Sequence, residues 1–195
     1  LDNSKRLNYG FNISNDKIRL DMLSYYEFSN NSNFDNDQNS DDHLSDMIGQ
    51  VEYNNKISTD YNFRYDHNDN YFKKHNINFK YPGSYGNLTL SYLDQKSKTD
   101  ETIITDTETL NYNIESAKFY KYSQIKFKGL YDLKKSINSE YSIGYNYFDE
   151  CFGINIDFSR KSYEEGELKP QDLLTIMFSF KNLGSYKSSN LAVSD

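Results

Sequence analysis

The chain of 195 residues is long enough for one large domain, and its even composition along the sequence favours one domain over two. A formal net charge of −7 excludes a nucleic-acid-binding protein, because phosphate recognition needs a concentrated basic surface. No run approaches the roughly 18 consecutive apolar residues of a transmembrane helix, whereas a transmembrane β-strand needs only about 9 to 11 residues with one apolar face.

The hydrophobic fraction of 36% and the mean hydropathy of −0.90 are low enough to suggest disorder. The 19 Tyr and 13 Phe argue against disorder, because disordered chains are poor in aromatic residues. Codon bias toward A and T is one explanation for the many Asn residues. It does not explain why Tyr falls at alternating positions, so that placement is a structural signal.

Aromatic and aliphatic residues recur at every second position in eleven segments, and no segment has a competing helical period. The fifth segment is the least regular, because Lys73 and His75 fall on the face of Ile77, which places both near a rim. We therefore predict an all-β fold of consecutive antiparallel hairpins, an up-and-down meander. The predicted strands are residues 6–14, 17–28, 48–56, 59–66, 71–81, 86–93, 108–118, 124–133, 139–148, 151–160 and 172–183.

The last three predicted strands alternate most cleanly and present one apolar face each. If the sheet crosses a membrane, these faces contact lipid, because lipid-facing and polar residues alternate along such strands. The predicted face residues are Tyr141, Ile143, Tyr145, Phe152, Ile154, Ile156, Phe158, Leu174, Ile176, Phe178 and Phe180.

The links between the predicted strands alternate in length. The three long links, residues 29–47, 94–107 and 161–171, all fall at the same parity and so emerge at one end of the sheet. Outer-membrane barrels have this asymmetry, with short periplasmic turns and longer extracellular loops, whereas a soluble sandwich has long connections at both ends. We therefore predict a partial transmembrane β-barrel of about 11 strands with its C-terminus in the periplasm. The odd number of strands predicts a portion of a larger barrel, since single-chain bacterial barrels normally have an even number.

Motifs that carry catalysis or cofactor binding are missing from the sequence. His43, His67 and His75 lie far apart, so we predict no enzyme and no cofactor. The acidic link 29–47 is either a Ca²⁺-binding loop or a solvated loop. Tyr in the strands provides either stacking platforms for sugars or, more simply, strand and membrane-interface residues.

Cys151 is the single cysteine of the chain. A lone cysteine is either a small buried hydrophobic residue or half of a disulfide whose partner lies outside this chain.

The C-terminal third also carries a family resemblance. The segment YNYFDECFGINIDFSRKSYEEGELKPQDLLTIMFSFKNLGSY resembles the C-terminal end of the LPS-assembly proteins of the outer membrane, the LptD/OstA family. The matching features are a strand with Tyr145 and Tyr147, an acidic turn with a cysteine at residues 149–151, a strand closing in Ser159 and Arg160, a variable loop at 161–171, a final strand running into Leu183 and Gly184, and an upstream YDL at 131–133.

The resemblance implies that residues 1–184 are the C-terminal portion of a lipopolysaccharide-inserting barrel and residues 185–195 a short tail. It implies an outer-membrane location with extracellular long loops, a plug lipoprotein as partner, and a periplasmic lipopolysaccharide bridge that contacts an N-terminal domain outside this chain. The last strand, with Leu174, Ile176, Phe178 and Phe180, would form one edge of a lateral gate. Cys151 would pair with a cysteine in that N-terminal region.

Two other functions are open from the sequence. A porin-like diffusion channel predicts a lumen with charge rings and a barrel that closes without further strands. A secreted all-β binding module, such as a carbohydrate-binding sandwich, predicts a protein that does not enter the membrane fraction.

Overall fold

The structure is a computed structural model that describes residues 5–28, 43–67, 69–99, 102–162, 170–181, 184–187 and 191–193. These residues form β-strands, turns and links. Within these ranges no helix is long and apolar enough to span a membrane. The strands are β1 (Arg6–Ser14), β2 (Ile18–Glu27), β3 (Met47–Asn54), β4 (Ser58–Asp66), β5 (Tyr71–Gly83), β6 (Gly86–Thr99), β7 (Thr102–Ser116), β8 (Ser123–Asp132), β9 (Ile137–Phe148), β10 (Phe152–Lys161), β11 (Gln171–Phe180), β12 (Gly184–Lys187) and β13 (Leu191–Val193).

The strands form one sheet in which spatial order follows chain order from β1 to β12, and β13 also pairs with β11. Neighbouring strands pair antiparallel, as β1 does with β2 and β10 with β11, so the sheet is an up-and-down meander. This confirms the predicted all-β class and its hairpin order. The strands group into two compact units, the first within residues 1–79 and 92–108 and the second within residues 80–91 and 109–195.

The eleven predicted strands correspond to β1–β11, with one large difference in length. Residues 94–107 were expected to form a long link, but β6 continues to Thr99 and β7 begins at Thr102. That expectation is wrong because Thr and Ile have high strand propensity even in a polar stretch with few large apolar side chains. The hydroxyls of Ser97 and Thr105 lie 2.6 Å apart across this extended hairpin.

The sheet does not end at β11. The strands β12 and β13 follow it and pair antiparallel with it, so the expectation that residues 172–183 form the last strand is wrong. Within the segment predicted as a tail, residues 185–187 belong to β12 and residues 191–193 form β13. Gly184 has φ of +94°, a left-handed conformation that favours glycine and allows the chain to reverse after β11. Because the path now runs over twelve strands, the odd-number argument for further strands loses its basis.

The tight turns at one end of the sheet are encoded locally. Asn15 Oδ1 accepts hydrogen bonds from the backbone N–H groups of Lys17 and Ile18, both at 2.8 Å. Asp149 Oδ1 accepts from the N–H groups of Cys151 at 2.9 Å and Phe152 at 2.7 Å. Asn and Asp favour turns for this reason, since the side chain takes the place of a backbone acceptor.

In the described part of the chain, no large apolar side chain is buried, so the sheet has no apolar core. The buried side chains there are polar, and the exposed ones include many large apolar residues. The buried polar residues are Ser24, Ser45, Asp46, Asp66, Ser123 and Ser142, and Gly49, Gly144 and Gly153 are buried as well.

Candidate functional site: two faces of the sheet and its C-terminal edge

In the second unit the register gathers the predicted apolar residues on one face, here called the apolar face. Residues directly opposite each other on antiparallel strands lie on the same face. Between β10 and β11 the opposite pairs are Phe152 with Phe180, Ile154 with Phe178, Ile156 with Ile176, and Phe158 with Leu174. Between β10 and β9 they are Ile156 with Tyr145, Phe158 with Ile143, and Arg160 with Tyr141. All eleven residues predicted for this face lie on it, and each is half-buried or exposed.

The first unit has an apolar face of the same kind. Leu7 lies opposite Tyr26, and Phe11 lies opposite Met22. The side chains of β1 on this face are open to solvent, with Phe11 49% exposed and Ile13 62% exposed. No described layer of the protein covers these side chains, because the described apolar residues are not buried.

Three glycines lie against the aromatic ring of their opposite residue, a feature that strand periodicity alone does not reveal. A Cβ atom on Gly49 would lie 2.2 Å from the ring of Phe63, its register partner on β4. The corresponding distances are 2.3 Å from Gly129 to Tyr112 Oη and 2.5 Å from Gly153 to the ring of Phe148. Such pairs cover an exposed backbone with a ring and help to set strand register. The sequence signal is a glycine on a strand, but its partner is known only from the register.

Aromatic rings gather near the ends of the strands. In the second unit Tyr122, Tyr147, Phe152 and Phe180 contact one another in succession near the tight turns, with ring centroids 6.0, 6.4 and 5.4 Å apart. In the first unit Tyr65 lies near the C-terminal end of β4, and its ring centroid is 4.9 Å from that of Phe72 and 5.3 Å from that of His67. Aromatic residues at strand ends are typical of membrane interfaces, where an amphipathic ring has both apolar and polar neighbours.

The predicted sharing of one face by Lys73 and His75 is wrong. The imidazole of His75 stacks on Tyr61 and its Nδ1 lies 2.8 Å from Tyr61 Oη, on the apolar face. Lys73 instead pairs with Asp46 and Asp66. Because Phe72 contacts the ring of His75 at 4.4 Å, strict alternation is broken between them, and a period-two reading could not find that break.

The opposite face of each unit, here called the polar face, carries paired charges and amides. In the first unit Asp46 and Asp66 are buried, and Lys73 Nζ lies 3.3 Å and 2.6 Å from their carboxylates. Arg64 also pairs with Asp46. In the second unit Lys126 pairs with Glu115 at 3.2 Å and Lys161 with Glu140 at 3.5 Å, while the amides of Asn155 and Asn146 hydrogen-bond.

Each polar face contains an open groove. The groove in the first unit has a volume of about 530 Å³, and the groove in the second has a volume of about 390 Å³. Amide and carboxyl side chains contribute to both linings. They include Asn8, Asn12, Asp21, Gln50 and Asn62 in the first groove, and Asn111, Asn113 and Glu140 in the second.

The residues weighed for metal or catalytic chemistry do not converge. His43 Nδ1 lies 2.8 Å from the carbonyl oxygen of Glu27, and His75 contacts Tyr61. Within the described ranges no group of His, Cys, Asp and Glu side chains has the arrangement of a metal site. Most of the acidic link weighed for Ca²⁺, residues 29–42, lies outside the described residues.

Cys151 is an exposed free thiol in the turn between β9 and β10. With no second cysteine in the sequence, it forms no disulfide within the chain. Backbone hydrogen bonds from Cys151 and Phe152 lower the pKa of the Asp149 carboxyl in the same turn, because they stabilise the carboxylate.

The outer edge of β11 is occupied by the C-terminal residues. Met177 to Phe180 pair with β12, and Asp172 to Leu174 pair with β13. The edge is therefore not open over these seven positions.

The fold and the two faces define a class of protein: a single-layer antiparallel sheet compatible with an outer-membrane β-barrel. No protein-family model matches the chain, and no curated protein sequence matches it. The resemblance of residues 145–186 to the LPS-assembly proteins thus rests on the order of its motifs alone.

Proposed function

We propose that this chain is the membrane-embedded sheet of an outer-membrane β-barrel. The observation that carries the proposal is that the long strands present apolar side chains on one face while no large apolar residue of the described chain is buried. A monomeric soluble protein seldom exposes an apolar patch larger than a few hundred Å². Lipid is the cover that suits a continuous apolar face with polar residues behind it.

Strand length and ring position support the same proposal. The strand β10 has 10 residues and β9 has 12, near the about 9 to 11 residues that a tilted strand needs to cross a bilayer. Rings such as Tyr147 and Phe152 lie near the tight turns, where an interfacial belt belongs. The tight turns would then be periplasmic and the longer links extracellular.

The finer proposal is that the barrel belongs to a translocon that inserts lipopolysaccharide into the outer leaflet. It is supported by the order of motifs in residues 145–184. The C-terminal edge of the sheet would form one side of a lateral gate, a plug lipoprotein and a periplasmic bridge would be partners, and Cys151 would pair with a cysteine of another segment. The exposure of the Cys151 thiol is compatible with such a pairing.

Brominated-lipid quenching tests the membrane proposal, because the chain contains no Trp. Single Trp residues are introduced by Ile176→Trp on the apolar face and by Thr175→Trp, its neighbour on the polar face of β11. Each variant is reconstituted in phosphatidylcholine vesicles with brominated acyl chains. We expect strong quenching for Ile176→Trp and weak quenching for Thr175→Trp.

Equal quenching at the two positions would overturn the membrane proposal. A protein that stays out of the vesicles would overturn it as well and favour the secreted binding module. Thr175 and Ile176 are adjacent on one strand, so depth in the bilayer is matched and the face alone differs.

Photocrosslinking tests the lipopolysaccharide proposal. A photoreactive phenylalanine analogue replaces Phe178 near the C-terminal edge or Ile143 on β9, two strands further from it. In growing Gram-negative cells we expect a lipopolysaccharide adduct at position 178 and little at position 143. Similar adducts at both positions would indicate only general contact with the outer leaflet and would contradict a gate. A non-reducing gel of the same cells would show whether a Cys151-dependent mobility shift occurs.

A porin-like channel is the second candidate, and the grooves on the polar faces favour it. It predicts stable single-channel conductance in planar bilayers for the protein alone. A plugged translocon predicts low conductance that rises when the plug is removed.

A further inference from the structure

Two turns of the second unit are joined to each other at the end of the sheet that carries the tight turns. In the link after β7, Ala117 donates its N–H to the carbonyl oxygen of Tyr85, in the turn between β5 and β6, at 2.7 Å. Gly86 lies against the same link, because a Cβ atom on it would be 2.2 Å from the carbonyl oxygen of Glu115. The two turns therefore hold each other in a fixed position.

These two turns carry the most exposed large aromatic side chains of the described residues, Tyr85 at 92% and Tyr120 at 90%. The backbone beneath the second ring is strained. Tyr120 and Lys121 have φ of +47° and +68°, a left-handed conformation that is costly for residues with a Cβ atom. Asn and Gly fit such a turn with less strain, so the local backbone does not explain why Tyr and Lys occupy it.

Exposed lysines lie beside these rings. Lys118 and Lys121 belong to the same link as Tyr120, and both are exposed. A third exposed lysine, Lys181, follows β11 and donates its backbone N–H to the carbonyl oxygen of Cys151 at 2.9 Å. Positive charge therefore flanks the turn between β9 and β10 on both sides.

That turn is acidic. It lies next to the lysine link, because Phe148 donates its N–H to the carbonyl oxygen of Tyr122 at 3.1 Å. Its two carboxylates belong to Asp149 and Glu150. Asp149 accepts hydrogen bonds within its own turn, whereas Glu150 is exposed and is the carboxylate that is open to a ligand.

We propose that this end of the second unit binds the head group of a zwitterionic phospholipid with a primary ammonium, phosphatidylethanolamine. The ammonium groups of Lys118 and Lys121 bind the phosphate, and the Glu150 carboxylate binds the ethanolamine ammonium through charge-assisted hydrogen bonds. The rings of Tyr85 and Tyr120 lie between the head group and the acyl chains, as amphipathic rings do at membrane surfaces. The inference rests on the membrane proposal, which places this end of the sheet at the surface of a leaflet.

The charge pattern favours this head group over two others. Phosphatidylglycerol carries a phosphate and no cation, so it leaves the acidic turn without a partner. The quaternary ammonium of phosphatidylcholine has no N–H to donate to a carboxylate. Adjacent charges of both signs on the protein match a head group that itself carries both.

A Trp reporter tests whether the strained turn lies at the membrane surface. Tyr120→Trp is introduced into the chain, which contains no Trp, and the variant is reconstituted in vesicles of phosphatidylethanolamine and phosphatidylcholine. Lipids with bromine near the head group are compared with lipids that have bromine near the ends of the acyl chains. We expect the reporter at position 120 to be quenched more strongly by bromine near the head group. Ile176→Trp on the apolar face is the control for insertion.

Urea midpoints test the head-group chemistry. They are measured in vesicles of phosphatidylcholine alone, with added phosphatidylethanolamine, and with added phosphatidylglycerol. For the natural chain we expect the larger rise with phosphatidylethanolamine, and Lys118→Gln/Lys121→Gln/Glu150→Gln should lose that rise. The matched control Lys134→Gln/Lys135→Gln changes two exposed lysines in the link between β8 and β9, at the opposite end of the strands, and should keep it.

A rise that the triple variant keeps would reflect a general property of the bilayer and would overturn the proposal. An equal rise with phosphatidylglycerol would overturn it as well, because the lysines would then bind any anionic lipid. If Ile176→Trp is quenched while the reporter at position 120 is quenched by neither lipid, the turn lies in water and this inference alone fails. If neither reporter is quenched, the membrane proposal itself fails.

Discussion

Glycine and aromatic residues act in pairs in this sheet. Gly49 provides the space that the ring of Phe63 occupies, and the same relation joins Gly129 to Tyr112. A side chain at either glycine would require the ring or the strand to move. The chain has few aliphatic residues, and aromatic rings provide much of its apolar surface. The same rings also cover the backbone at the glycines.

We expect Gly49→Ala to lower the free energy of unfolding by about 1 to 3 kcal/mol, the usual cost of overpacking. The measurement is a urea titration in lipid vesicles followed by tyrosine fluorescence. Gly144→Ala is the matched control, because its nearest obstacle, at 3.0 Å, is the movable carboxylate of Asp157. Adding Phe63→Leu should recover part of the loss at Gly49. An equal loss in both glycine variants would contradict the ring-specific explanation.

The acidic turn predicts a pH dependence. The pKa of Asp149 is lowered from its ordinary value of 3.8, first by the N–H of Cys151 and then by that of Phe152. A lowered pKa in the folded chain means that this stabilisation is present above the ordinary value and is lost as the pH falls through the folded value. We therefore expect the stability gap between the natural chain and Asp149→Asn to shrink between pH 7 and pH 3. Urea midpoints at both pH values measure the gap.

Two further variants serve as comparisons for that measurement. Asp149→Ala removes the acceptor of both backbone N–H groups and should be less stable than Asp149→Asn at both pH values. Glu150→Gln changes the neighbouring exposed carboxyl of the same turn. If the stability gap between the natural chain and Glu150→Gln also shrank as the pH fell, general charge and not the hydrogen bonds of the turn would explain the pH dependence.

Neighbouring strands in the first unit are joined on the polar face by a small ion cluster. Lys73 on β5 contacts Asp66 at the end of β4 and Asp46 just before β3. Both carboxylates are buried, so the ammonium group of Lys73 stabilises their charge and thereby these strand ends. The cluster compensates for the polar residues that interrupt the alternation of β5.

We expect Lys73→Met to lower the free energy of unfolding by about 1 to 3 kcal/mol, because it removes a hydrogen-bonded cation from two buried carboxylates. The neighbouring exposed Lys74→Met should change it by less than about 0.5 kcal/mol. Urea titrations of both variants at low salt provide the comparison. If the two variants were equally stable, the cluster would not contribute to stability.

The strand β11 tests the two faces at the level of an element. We expect Ile176→Lys, on the apolar face opposite Ile156, to cost about 2 to 4 kcal/mol in vesicles if this position lies near the middle of the bilayer. Thr175→Lys, on the polar face opposite Asp157, should cost much less. Refolding yield and urea midpoint in vesicles measure the difference, and similar losses in the two variants would argue against a lipid-facing surface.

For the whole molecule, the absence of an apolar core from the described residues is the most informative property. The apolar surface is arranged as a face and not as an interior, so a stable fold needs lipid or another cover on that face. At the C-terminal end, β12 and β13 pair along the outer edge of β11, and an exposed strand edge would otherwise recruit other strands. Membrane insertion and lipopolysaccharide transport are separate proposals with separate tests.

Much of the fold was accessible from the sequence. Period-two alternation identified β1–β11 and the one face shared by residues such as Ile156 and Ile176, because pleating links sequence spacing directly to a face. Asn and Asp at the tight turns were readable for the same local reason. The shared face assigned to Lys73 and His75 was not correct, since a break in alternation depends on how β4 and β5 pair.

Local sequence thus determined the class of the protein, its hairpin order and its apolar face. Only the tertiary structure decided which ring covers Gly49, which cation faces Asp46 and Asp66, and that residues 184–187 and 191–193 pair with β11. These features depend on register between segments, and register is a property of paired strands that no single segment encodes. The strands β12 and β13 have too few residues to show a period of two by themselves, so their pairing became visible only beside β11.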